Sequence, residues 1–414
     1  MQQGMITGGS SYMKSSVFFR VSVVCLVAAA STRSQCFVGS RNFADPQETV
    51  EAETSPVFTM NRGAVFSEDE TTAKVLSDSL SGLIDALRRG EITDQHISEQ
   101  DQQRHSFFMG ALRRLEVDPG VPGMLPLVLK SFSPDGGESF LISVAFMSLS
   151  ESGSEIEKII EFHAYPYNGR YRFRSPFDYR TRTLETAEVD SVRYHFDDSF
   201  NRERAEEFAG FKRGFERRVG NPSIGLEYYR FGTLDELLRA YGIVYDCTRC
   251  NWLKEDLGFM DNDGRFFVTG TGNERFIFGY LVDYMSRYCD GNEDLYPPFV
   301  YGMAAYYGGY GLSGDTMEIL KAQFRDELAE RPEIDFFEEF RKGRRSSVSR
   351  HFSYFVICAF LCEEALDRHG FDTMMTLARS GRSDDGFFES LDSLLGINEN
   401  NFHETVARLI QEES

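Results

Sequence analysis

Apolar residues recur at helical spacing over Thr71–Arg89, where Val75, Leu76, Leu80, Leu83, Ile84 and Leu87 share a face and Gly90 follows as a stop. A second helix is expected over Ser98–Leu115. The pattern breaks at Pro119–Pro126 and changes to strands. Leu125–Phe132 and Ser139–Leu149 are separated by the turn Ser133-Pro134-Asp135-Gly136-Gly137, and Glu155–Tyr165 and Arg170–Arg174 meet at Asn168-Gly169, which favours a tight hairpin. Two helices followed by a four-stranded antiparallel meander predict a small α+β domain over residues 71–187.

A second domain is expected over residues 188–414. It opens with a strand at Val189–Phe196. A charged amphipathic helix follows at Asn201–Val219, with Ala205, Phe208, Phe211 and Phe215 on one face. A strand at Ile224–Tyr229, a short helix at Leu234–Tyr241 and a strand at Phe266–Thr269 complete a mixed-sheet half. Asn273 then stands where it can cap a helix running to about Tyr288. Pro297-Pro298 precede a second helix that opens at about Phe299 and closes at Gly308, Gly309 and Gly311. The remainder reads as helical: Thr316–Ala329, Phe336–Arg341, His351–Arg368, Phe371–Ala378, Gly386–Leu395 and Asn401–Gln411.

The stretch Thr271–Gly311, and PPFVYGMAAYYGG within it, resembles the active-site helix pair of the gluzincin metallopeptidases, in particular the peptidase MA-like group. In that family the first helix carries H-E-x-x-H and the second opens with P-x-W-x-x-E-G-x-A. The order of elements over roughly Glu188–Glu413 is similar to the same family, so the resemblance implies a gluzincin-like domain with a mixed sheet half and a helical half. If Tyr301 takes the place of the glutamate ligand, Phe278, Gly279 and Val282 take the H, E and H places. None of the four is a standard zinc ligand or a carboxylate base. A register one residue on gives Gly279, Tyr280, Asp283 and Gly302, with a single ligand. What the resemblance implies is a degenerate site, with no metal, no cofactor and no catalytic residue: a pseudo-metallopeptidase.

Two readings of the residues around that site stay open. Tyr280, Tyr284, Tyr306 and Tyr307, with Tyr301 and Tyr310, either line an old substrate cleft and stack on a peptide or glycan, or fill the space of a lost metal. Asp283 is a remnant ligand, a general base, or a solvated partner of Arg287 one turn on. Elsewhere the seven histidines show no helical metal-ligand spacing. Cys247-Thr248-Arg249-Cys250 is a lone C-x-x-C, and Asp261-Asn262-Asp263-Gly264 reads as a β-turn rather than a calcium loop. Arg170, Arg172 and Arg174 alternate with Tyr171 and Phe173, which fits a ligand-facing sheet, and also a sheet with one solvated face.

Charge and the N-terminus narrow the setting. The formal net charge of −21 argues against nucleic acid and anionic membrane surfaces as partners. Lys14 and Arg20 precede the apolar run Val21–Ala30 and the mostly small residues that follow it, the pattern of an export signal over residues 1–34. A polar linker is expected at 35–70. No later stretch is apolar enough to span a bilayer. The expectation is an exported periplasmic or extracellular protein that holds a protein or peptide partner. The alternatives are a hydrolase with an unconventional site and a structural component of a cell-envelope complex.

Overall fold

The computed structural model describes residues 58–113, 115, 125–150, 153–221, 225–247, 258–261, 264–288, 295–310, 314–342 and 353–412. The expected export signal lies outside the described residues, as do Cys36, Cys250, Cys289 and His351. All described residues belong to one compact unit, Ser55–Ser414. The tail of the expected linker is docked rather than loose. Strand β1 (Thr59–Met60) pairs in parallel with Leu127 and Val128, and Phe58 and Phe66 are buried with their rings edge to face at 5.8 Å.

Helix α1 (Glu70–Arg89) starts where the Asp69 carboxylate accepts from Thr72 N at 2.7 Å, and it buries Leu76, Leu80, Leu83, Ile84 and Leu87. The single helix expected over Ser98–Leu115 is two: α2 (Glu99–Arg104) and α3 (Ser106–Arg113). The break falls at His105, because Ser106 donates both its N–H and its hydroxyl to Asp261, 155 residues away. A distant carboxylate caps the new helix N-terminus, a device that local periodicity cannot reveal.

Strands β2 (Leu125–Phe132), β3 (Phe140–Ser150), β4 (Gly153–Tyr167) and β5 (Arg170–Arg174) form the meander, and Asn168 and Gly169 both take the positive φ that a two-residue turn requires. Helix α4 (Phe177–Thr181) follows. The single strand expected at Val189–Phe196 is a hairpin of β6 (Glu185–Val189) and β7 (Val192–Phe196), turning at Asp190 with φ 55°. Helix α5 (Arg202–Val219), strand β8 (Leu226–Arg230), helix α6 (Leu234–Ala240) and strands β9 (Ile243–Asp246), β10 (Gly258–Met260) and β11 (Phe266–Thr269) complete the sheets.

The architecture is α+β with two mixed sheets. The first has six strands in the order β1-β2-β3-β4-β5, with β9 on β4, so the expected four-stranded meander gains a strand at each side. The second has five in the order β10-β11-β8-β7-β6, parallel at its centre and antiparallel at both ends. Alternation along its strands serves two cores. Tyr194, Tyr228 and Phe267 face α5 and the helical half, while Tyr229 and Val268 face the core shared with the first sheet.

The rest is helical: α7 (Ile277–Tyr288), α8 (Pro297–Gly308), α9 (Met317–Glu330), α10 (Phe336–Lys342), α11 (Ser353–His369), α12 (Phe371–Ala378), α13 (Asp384–Leu395) and α14 (Phe402–Gln411). Two boundaries differ from expectation. Asn273 accepts from Arg275 N at 2.9 Å, a local turn, and the helix starts only at Ile277. The second helix of the pair starts at Pro297, whose missing N–H costs nothing in a first turn.

Candidate functional site

Helix α8 lies against α7 on one side and against α11 on another. A Cβ built on Gly308 would come 2.5 Å from Phe278 N, and one built on Gly302 would come 2.5 Å from both the carbonyl carbon and the Cβ of Cys358. These two glycines let the backbones of three helices approach more closely than any side chain permits.

The four positions matched to the metal site are filled by this packing. Phe278 is 2% exposed and lies 6.0 Å from the Tyr301 ring and 5.8 Å from that of Tyr310. Tyr301 in turn stacks on Phe355 at 4.5 Å, with the rings 12° from parallel. Gly279 is buried beneath Phe276, whose ring a Cβ would meet at 2.4 Å. Val282 is half-buried against the same core. This donor set holds no nitrogen, sulfur or carboxylate, so it does not fit a zinc ion. Among the described residues no group of three or more His, Cys, Asp or Glu side chains is placed to hold a metal.

The surrounding polar groups are engaged inside the protein. The Tyr280 hydroxyl donates to Glu216 at 2.8 Å, and Glu216 accepts from Lys212 at 3.0 Å; all three are buried between α5 and α7. Asn221 donates to the Tyr284 hydroxyl at 3.0 Å. Asp283 accepts from Met260 N while Arg287 donates to Met260 O, so the two side chains hold the end of β10 by its backbone. Tyr306 and Tyr307 are half-buried and meet edge to face at 5.0 Å, and burial pushes the Tyr306 hydroxyl up to about 12. Tyr307 packs on Phe211 and Phe215 at 5.3 and 5.9 Å. The tyrosines therefore serve the core and its seams, and Asp283 serves a strand end.

Two other places gather charged and aromatic groups away from the helix pair. One is a cavity of about 570 Å³ beside the second sheet, lined by Arg104, Arg193, Arg265, Glu188, Asp190 and Glu227 over an apolar floor that includes Phe266. Arg193 binds Glu188 at 2.8 Å and Glu227 at 3.3 Å, and Glu227 holds His195 Nε2 at 2.5 Å. The other is the outer face of the first sheet. There Arg174, Arg172 and Arg170 lie opposite His163, Tyr165 and Tyr167, while Tyr171 and Phe173 turn inward to the core. The arginine alternation seen in the sequence therefore marks the face turned away from that core, where Arg170 is exposed, Arg174 half-buried, and Arg172 and His163 buried.

No family model matches the chain, and no curated protein matches it. Among the described residues no helix is long and apolar enough to cross a membrane.

Proposed function

We propose that this chain is a non-catalytic binding protein built on a metallopeptidase-like helix pair, and that it engages its partner through the outer face of the first sheet. The observation that carries the reading is the filling of the matched site. Phe278, Gly279, Val282 and Tyr301 supply no ligand and no base, and their neighbours are spent on packing and internal hydrogen bonds. Such a site has nothing with which to polarise a carbonyl or activate water. In this reading aromatic packing does the work of a metal in joining the two helices.

The test is metal content together with activity. Protein exposed to zinc and then exchanged into metal-free buffer should retain well under one zinc per chain and cleave no peptide in a broad substrate screen. Stoichiometric zinc accompanied by metal-dependent cleavage would overturn the reading.

The hydrolase alternative has one observation on its side. Glu227, which lines the cavity, pairs with His195 Nε2 at 2.5 Å, and such a carboxylate–imidazole pair is a common general-base unit. That alternative predicts a hydrolytic activity that His195→Gln abolishes without unfolding the protein.

A further inference from the structure

The segment from His163 to Arg182 runs against the charge of the whole chain. It holds five arginines and one aspartate, in a protein with 65 acidic and 44 basic residues. The sheet register gathers these charges onto one surface. His163 pairs with Arg174, Tyr165 with Arg172 and Tyr167 with Arg170, and directly opposed residues share a face. The same register carries the face onward. Ser143 pairs with Glu161 and with Lys130, and Leu141 pairs with His163 and with Phe132. From α4 and the turn after it, Arg180 and Arg182 reach the same face through Glu161 and Asp135.

The cations there are layered on rings. The Arg172 guanidinium lies 3.4 Å from the Tyr167 centroid, that of Arg182 4.0 Å from Tyr179 and that of Arg174 4.8 Å from Tyr165. This stacking holds the guanidinium planes in place. Arg172 is buried and bound to Asp94, and Arg182 is held by both oxygens of Asp135, so of the stacked three only Arg174 keeps an edge that no salt bridge takes. Lys130, Arg170, Arg172, Arg174, Arg180 and Arg182 share four carboxylates. Asp94 binds Arg172 and Asp135 binds Arg182; Glu161 takes Arg180 and Lys130, while Asp101 accepts the Tyr165 hydroxyl. Arg170 and Arg174 make no salt bridge among the described residues, and the Arg174 charge acts on the Asp178 carboxyl nearby. His163 adds a donor. Arg174 Nε approaches its Nδ1 at 3.3 Å, which leaves the proton on Nε2, and Nε2 has no hydrogen-bond partner although the residue is 6% exposed. Phe132 and Tyr167, 43% and 41% exposed, offer ring faces at two edges.

We propose that this face binds an acidic glycan, its carboxylate or sulfate groups on the free guanidinium edges and its sugar rings against the exposed aromatics. The proposal rests on the binding-module reading and names its ligand. Adjacent strands stand about 4.8 Å apart, so the cations form a shallow ladder suited to an extended chain. A polynucleotide is an equally charged competitor whose stacking groups are bases rather than sugar rings, and the titration separates the two.

The test is titration calorimetry of the full chain with four hexamers: oligogalacturonate, a heparin-derived hexasaccharide, maltohexaose and oligo-dT. One of the two acidic glycans should bind, more weakly as salt rises, and maltohexaose and oligo-dT should bind at least tenfold more weakly. Arg170→Ala should weaken glycan binding about tenfold. Arg170 is exposed and makes no salt bridge among the described residues, so the variant should unfold in urea at the parent's midpoint, which separates lost binding from lost folding. Tyr167→Ala should weaken it as well. Failure of both acidic glycans to bind, equal binding of maltohexaose, tighter binding of oligo-dT, or an unaffected Arg170→Ala would each overturn the proposal. Zinc-dependent cleavage would remove the non-catalytic reading and leave the face standing; a zinc-free protein that binds neither acidic glycan would do the reverse.

Discussion

Asp283 is the only acidic side chain on the central helix, and its geometry assigns it to the backbone of Met260. Asp283→Ala strands that N–H in a place where Met260 is 2% exposed, at a cost of about 1–3 kcal/mol. Asp283→Asn keeps an acceptor and should retain most of the stability in urea unfolding. A glycine gives a second expectation. At Gly302 an added Cβ meets the backbone of Cys358 and Ala359, which cannot step aside. Gly302→Ala should therefore fall at the upper end of the about 1–3 kcal/mol cost of overpacking, more than the about 1 kcal/mol that alanine gains over glycine in a helix. His163 gives a third. Burial first, and then the Arg174 charge, holds its imidazole at about 4, below the ordinary 6.5. Between those values the unfolded chain takes up a proton that the folded one refuses. The His163 contribution to stability is thus complete above about pH 6.5 and is lost as pH falls toward 4. His163→Gln should flatten that part of the stability profile relative to the parent protein. Of these residues, sequence alone marked Asp283 as an acid in an apolar run. Its backbone partner lies on a strand that local pattern did not announce.

At the scale of elements, the seam between α5 and α7 shows what replaces simple apolar packing. Lys212, Glu216 and Tyr280 form a buried chain whose charges compensate each other. Lys212→Met leaves Glu216 charged and unpaired, which costs about 3–5 kcal/mol, whereas Lys212→Met with Glu216→Leu and Tyr280→Phe should recover most of the loss. Denaturant midpoints of the two proteins decide it. The i,i+4 spacing of Lys212 and Glu216 is visible in the sequence, yet it describes a solvated pair equally well, and only tertiary packing makes it a buried one. The same division holds for other elements. Helix α1 and strands β2 and β5 follow directly from period and turn residues. The break at His105, the β6–β7 hairpin and the attachment of β9 to β4 depend on partners far along the chain or on a turn without a glycine. The outward arginines of β5 were legible as an alternation, and their stacked tyrosines were not, because those come from the register with β4.

For the whole molecule, the second sheet is the shared layer. One of its faces closes the helical core with α5 and α7, and the other closes the core that includes the first sheet. Strand β9 adds to the link, leaving the chain just after α6 to join β4. This arrangement packs the helix pair largely in apolar and aromatic side chains, and we infer that this packing is what holds it together. Hydrogen exchange of the Ile277–Tyr288 amides tests that claim most directly, measured once with excess zinc and once with EDTA. If packing alone holds the pair, exchange is equally slow in both. Amides that exchange freely in EDTA and become protected in zinc would contradict the account, because a metal would then be holding the helices.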